Sequence, residues 1–348
     1  MGERSVPVDA GAPALGGDRA NRTHVRTLAG EGVEGFTDGP GSTARFNKPW
    51  DVAVAAGGTV YVADHSNHRI RKITPDGTVS TLAGDGVAGH VDGEGHLARF
   101  NYPRGVAVDP VGNVYVADTD NDRIRKITPQ GMVSTLSGIG TQGYVDGPRV
   151  MARFAYPNGV TVDGLGNVYV ADAANRRIRK VSPGGTASTL AGDGYQGYAD
   201  AAGREARFSS PRGIAVDDLG YVYVADLGNS RIRMVSPTGQ VSTVAGDGRG
   251  VHADGVATAA SFCDPCALAV DAAGILYVAD SDNHCIRMIG PGGVVETVAG
   301  DGERVADFAD GSGPEARFSC PRGIAVGPSG RIYVADTMNH CIRVITLG

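Results

Sequence analysis

Six prolines each open a short β-branched run, and the residues flanking them change from copy to copy in ways that could do chemistry. Just after the proline stand Trp50, Arg104, Asn158, Arg212, Cys266 and Arg322; just before it stand Lys48, Tyr102, Tyr156, Ser210, Asp264 and Cys320. Arginine forks give charge-assisted hydrogen bonds to a carboxylate or another oxyanion, and Trp50 and Tyr102 would supply apolar walls. The pattern points to a binding pocket for an anionic group, lined by Lys48, Trp50, Tyr102, Arg104, Tyr156, Asn158, Arg212, Cys266 and Arg322. The plain alternative is a set of solvated loop ends.

Three other groupings could hold a metal. Cys263-x-x-Cys266 has zinc spacing and could recruit His284 or Cys320. Yet Cys285 and Cys341 stand where four other copies carry Arg, and no second Cys-x-x-Cys exists, so free thiols are the expectation and a disulfide the alternative. Asp118, Asp120 and Asp122 resemble the start of a calcium loop but lack the Gly and distant Glu that complete one; they read as a turn. Asp51, Asn158 and Asp264 are the candidate ligands for a hydrolytic metal site, with no His among them. No cofactor is expected.

What must position these residues is a repeat. Tyr-Val-Ala-Asp occurs from Tyr61 and recurs from Tyr115, Tyr169, Tyr223, Tyr277 and Tyr333, at steps of 54 residues and once 56. Self-similarity at a fixed period means one structural unit built several times. Within one unit, Gly105–Asp109, Asn113–Asp118, Arg123–Thr128 and Met132–Leu136 read as four short strands separated by Pro, Gly and Asn punctuation. Such a sheet leaves apolar side chains on both faces, and six sheets packed around an axis bury both. The last unit stops after its third strand, while Val25–Gly30 (VRTLAG) matches the fourth strand Val79–Gly84 (VSTLAG). Residues 23–348 number 326, the length of five 54-residue steps and one of 56. The expectation is an all-β, six-bladed β-propeller of four-stranded antiparallel blades, closed by the N-terminal strand completing the last blade.

The pattern Pro-x-Gly-hydrophobic-Ala-Val-Asp, Gly-Asn-Val-Tyr-Val-Ala-Asp, x-x-Asn-His-Arg-Ile-Arg-Lys-Ile resembles the NHL repeat across residues 23–348, and Asn67-His68-Arg69-Ile70-Arg71-Lys72 is close to its consensus. The resemblance implies a six-bladed propeller whose relatives include protein-binding and RNA-binding modules and sensor domains, with lactonase and lyase propellers as more distant enzymatic cousins; it does not settle function.

Positions identical in all copies read as scaffold. They are the Asp closing strand two (Asp64 and equivalents), the Asn three residues on, and the strand-three Arg (Arg71 and equivalents), expected to pair with a carboxylate inside the sheet. The 20-residue connections, such as Gly84 to Pro103, carry an Asp seven residues before an Arg in five copies, then a Phe. An ion pair inside the loop and an aromatic plug are expected. Acidic residues outnumber basic ones by eight across these loops and the chain carries a net charge of −6, which disfavours nucleic acid. Residues 1–22 read as a disordered tail or linker without a secretion signal, and no apolar run approaches the roughly 20 residues of a membrane span. The function expected is a non-catalytic, monomeric recognition module for a protein, peptide or small anionic ligand, the alternatives being a metal-dependent lactonase- or lyase-like enzyme and an RNA-binding domain.

Overall fold

In the computed structural model of the protein, residues 22–348 are described, so the tail expected over residues 1–22 falls, but for Arg22, outside the described residues. The chain builds six antiparallel sheets, five of which have their four main strands in chain order from the innermost to the outermost. Blade 1 comprises Pro49–Val54, Val60–Asp64, Arg69–Ile73 and Thr78–Ala83. Blade 6 takes three strands from the C-terminus and its outermost from the N-terminus: His24–Ala29 pairs antiparallel with Cys341–Thr346, His24 opposite Thr346 and Thr27 opposite Arg343. The architecture is a six-bladed propeller closed by its first strand.

Alternation explains why these strands stack as blades. In Val60–Asp64, Val62 belongs to the apolar cluster shared with blade 6, and Ala63 to the cluster shared with blade 2. At the second seam blade 1 offers Ala53, Ala63 and Ala83 with Ile70, and blade 2 offers Val106, Val114, Val116 and Ile127, so small and bulky side chains interlock.

The long connections do not simply hang from one face. In four blades a two-residue strand, such as Gly39–Pro40, pairs with the outermost strand of the blade that follows the connection; in blades 3 and 4, single bridges at Gly147–Ala187 and Ala202–Gln240 do the same. The loops therefore cover the exposed sheet edges that would otherwise template association. The six loop phenylalanines are fully buried plugs.

The expected ion pair within each loop is corrected. Asp38 bonds not Arg45 but Arg71, which is fully buried and also holds Asp64 at 2.7 Å. Arg45 turns instead to Glu31, and in three other loops Arg99, Arg207 and Arg317 take Asp85, Asp193 and Asp301. A carboxylate, guanidinium, carboxylate relay recurs in all six blades. Each relay sets two carboxylates against one guanidinium, so counting the strand residues as well leaves the loop tally's sign unchanged.

Candidate functional site

The six innermost strands enclose a central channel of about 300 Å3. Its mouth is set by a turn repeated in every blade. The residue before each proline, from Lys48 (φ 50°) to Cys320 (φ 47°), is left-handed, and so is the residue after each turn Asn, such as His68 (φ 53°). Non-glycine residues avoid that region at a cost of order 1–3 kcal/mol each, so something must hold them. Between blades 1 and 2 the Tyr102 amide donates to His68 Nδ1 at 3.1 Å; the Tyr156, Cys320 and Lys48 amides donate likewise to Asp122, His284 and His340. These bonds clip successive blades together at the mouth, blade 6 to blade 1 included.

Inside that collar the residues following the proline form a layer. Trp50 lies between the guanidiniums of Arg104, 4.5 Å from its ring, and Arg322, 4.1 Å from it. His65 stacks on Trp50 with centroids 4.6 Å apart, and Tyr102 on His65 at 5.0 Å. Trp50, Tyr102, Arg104 and Arg322 thus lie together, while across the channel Arg212 donates to the Cys266 sulfur at 3.6 Å. Asn158 is buried at the same level in blade 3, and Tyr156 and Lys48 sit at the rim, Tyr156 45 % exposed.

His65 was missed by sequence reasoning. Its signal is that it follows Tyr-Val-Ala-Asp where other copies carry Thr, Ala, Leu or Ser. Thr119 and Thr337 in its place donate to the carbonyl of the proline opening the next blade, and His65 Nδ1 makes the same bond to Pro103 at 3.2 Å. Burial, and then the Arg104 charge, push the His65 pKa down to about 3, so the ring is neutral and Nδ1 carries the hydrogen.

The arginines of this layer differ from those of the strand relay. Among the described residues no carboxylate forms an ion pair with Arg104, Arg212 or Arg322, and the buried Nε atoms of Arg104 and Arg322 have no hydrogen-bond partner. Burial holds the Arg104 pKa below its ordinary value, and the nearby Arg212 and Arg322 push the same way. Three cations are crowded at one mouth, where Asp120 lies in the field of Arg104 and Asp264 in that of Arg212 and Arg322 without forming an ion pair with them.

One residue deeper, the blades present Gly105, Gly159, Gly213, Ala267 and Gly323, and in blade 1 Asp51. The wall is tight there: a Cβ on Gly159 would come within 2.3 Å of the Arg212 carbonyl oxygen. Asp51 accepts the Val52 amide at 2.9 Å and, from blade 2, the Val106 amide at 3.1 Å. Burial pushes its pKa up to about 7 against the pull of those two amides.

The candidate metal positions are taken up otherwise. Cys263 Sγ receives Arg304 at 3.0 Å, the five cysteines are free thiols, and no group of three or more His, Cys, Asp or Glu side chains converges among the described residues. Asp118 joins the strand relay, and Asp122 supplies the clip to Tyr156.

The NHL repeat model matches residues 46–73, 100–127, 154–181, 208–233, 262–287 and 318–345. The chain is 33 % identical over 281 residues to Protein SUPPRESSOR OF QUENCHING 1, chloroplastic, of Arabidopsis thaliana, covering 75 % of this chain and 27 % of that one. It is 31 % identical over 325 residues to NHL repeat-containing protein 2 of Homo sapiens, covering 82 % and 44 %. The chain thus spans less than half the length of these relatives. Solved structures of like fold include a Bacteroides thetaiotaomicron protein of unknown function (TM-score 0.74, 19 % identity, 94 % and 76 % covered) and a Xanthomonas campestris gluconolactonase (0.63, 15 %, 99 % and 98 %). At such identities the likeness speaks for the fold alone. Six repeats in register, each forming one blade, place this chain in the NHL-repeat family.

Proposed function

We propose that this propeller is a non-catalytic recognition module whose channel mouth receives an anionic group of a protein, peptide or small molecule. The observation that carries this reading is the pair of buried, unpartnered Nε–H groups on Arg104 and Arg322, on either side of Trp50. Buried polar groups in folded proteins are almost always hydrogen-bonded, and an orphan donor marks a partner that is missing. Arg104, Arg322 and Arg212 converge there, and Asp120 and Asp264 lie in their field without pairing with them, so an oxyanion would make the unmade bonds and relieve the mutual repulsion. Trp50, His65 and Tyr102 form the stacked wall beside it.

The test uses Trp50, the chain's one tryptophan, as its own reporter. Titration with sodium acetate and sodium sulfate at constant ionic strength should change its fluorescence saturably. In Arg104→Ala/Arg212→Ala/Arg322→Ala that saturable response should be lost. An equal response in the triple variant would remove the mouth from the argument.

A further inference from the structure

Blade 5 brings two carboxylates to the same mouth. Asp264, left-handed at φ 51° before its proline, is half-buried, and Asp282 on the neighbouring turn is exposed. The Asp282 amide donates to the Cys263 carbonyl at 3.2 Å, which ties the two stretches together. The cations around them are engaged elsewhere: Arg212 donates to the Cys266 sulfur at 3.6 Å, Arg304 to the Cys263 sulfur at 3.0 Å, and Arg322 lies over the Trp50 ring. The ion pairs of blades 5 and 6 run through Asp254, Asp280, Asp301, Asp310 and Asp336, and among the described residues none forms on Asp264 or Asp282. One mouth thus holds unpaired carboxylates beside unpaired guanidiniums.

Neighbouring carboxylates without a cation disfavour each other's charge, the more so where one is partly buried. Burial, and after it the Asp282 charge, hold the Asp264 pKa above its ordinary value. A cation would relieve this pair, as an anion would relieve the arginines. A metal ion is poorly served, because no group of three His, Cys, Asp or Glu side chains converges among the described residues. An ammonium needs no fixed coordination set, since its three N–H donors can be divided between carboxylates and water. The two halves of the mouth are also joined: the Cys320 amide donates to His284 Nδ1 at 3.1 Å, which clips the blade 6 segment carrying Arg322 to the turn carrying Asp282.

We infer that the ligand of this mouth is a zwitterion, its oxyanion held by Arg104 and Arg322 and an ammonium group of the same molecule held by Asp264 and Asp282. This deepens the proposed function and rests on it. Free amino acids belong to this class, whereas a simple anion uses only half of what the mouth offers. On blade 2, Asp120 also stands in the field of Arg104, but its neighbour Asp122 is taken by the Tyr156 amide, so that turn offers one free carboxylate where blade 5 offers two.

The experiment follows Trp50 fluorescence at neutral pH and constant ionic strength with acetate, glycine, β-alanine and 4-aminobutyrate, on the wild type and on Asp264→Asn/Asp282→Asn. Asn keeps the size of Asp and tolerates the left-handed backbone at position 264. In the wild type at least one amino acid should bind about tenfold or more tighter than acetate, the worth of one added charge-assisted bond. In the double variant that amino acid should weaken to the level of acetate, while acetate itself should bind tighter, since negative charge beside Arg212 and Arg322 is gone; the opposite signs separate a lost contact from a damaged fold. Amino acids no tighter than acetate in the wild type, an advantage that survives in the double variant, or an equal change for both probes would overturn the inference and leave the anion site standing. So would a saturable response to calcium alone that the double variant loses, which would make the pair a metal site. No saturable response to acetate or to any amino acid would overturn both readings.

Discussion

Replacing Arg125 by Met puts a number on the relay that holds each blade to its loop. Arg125 is fully buried and donates to Asp118 at 2.6 Å, to Asp92 through Nε at 3.2 Å and Nη2 at 2.5 Å, and to the Arg99 and Val91 carbonyls; its guanidinium also lies 5.0 Å from the Phe100 ring centroid. Met fills much of the volume but leaves Asp118 as a buried carboxylate without its cation. Breaking a buried pair from one side costs about 3–5 kcal/mol, and two loop carbonyls lose donors worth about 0.5–1.5 kcal/mol each. Asp118 keeps the Asn101 amide and Asn121, which softens the loss, so about 4–6 kcal/mol is expected. The assay is urea unfolding at pH 7, with Asp118→Asn and the double variant completing a cycle. Because the double variant no longer buries an unpaired charge, it should be more stable than the sum of the singles predicts by about 2 kcal/mol or more. Arg287→Met in blade 5 should cost about 1 kcal/mol less, since Arg287 Nε already lacks a partner. Additivity within about 0.5 kcal/mol, or a loss under about 1 kcal/mol for Arg125→Met, would refute the claim that loop, strand two and strand three are held through one guanidinium.

Two further outcomes follow from the closure and the collar. Deleting residues 1–29 removes fully buried Val25, buried Ala29 and half-buried Leu28, an expected loss of about 3–5 kcal/mol of apolar burial, and bares the Cys341–Thr346 edge; the midpoint of thermal unfolding should drop, concentration-dependent association should appear, and a synthetic 22–30 peptide should reverse both, whereas an unchanged midpoint would contradict closure. The clips through His68, His284 and His340 need a neutral Nδ1 acceptor, and burial first of all lowers each pKa from 6.5. A histidine with a lowered folded pKa contributes stability in full above pH 6.5 and loses it as pH falls through the folded value. The thermal midpoint should therefore fall below pH 6.5, and fall less in the triple His→Asn variant, since Asn tolerates the left-handed backbone and offers an acceptor that does not titrate; identical acid limbs would discard the idea.

Much of this was legible because repetition does the work of an alignment within one chain. The strand boundaries, the blade count and the match of Val25–Gly30 to Val79–Gly84 follow from period alone, and so does the layer that gathers Trp50, Arg104, Arg212 and Arg322. The loop pairing was not legible, for a reason of geometry. Thr37 and Arg45 face each other across an antiparallel bridge, and successive side chains on an extended chain point to opposite sides. Asp38 therefore leaves the face that Arg45 occupies and reaches Arg71, although the seven-residue spacing invites the other pairing. Asp51 stood out only as a metal candidate, because what sets its state is its surroundings: burial and amides from two blades, of which Val106 is far from it in sequence.

The seam between the first strand and the last also decides how the disc answers to pulling. His24 lies opposite Thr346, so a tether at each end would tug at the same end of one antiparallel pair. Force applied there peels the ladder rung by rung in place of sliding all rungs at once, and each rung yields before the next is loaded. Tension carried through flanking chain would part this seam first, and the other five blades would be spared until the ring had sprung open.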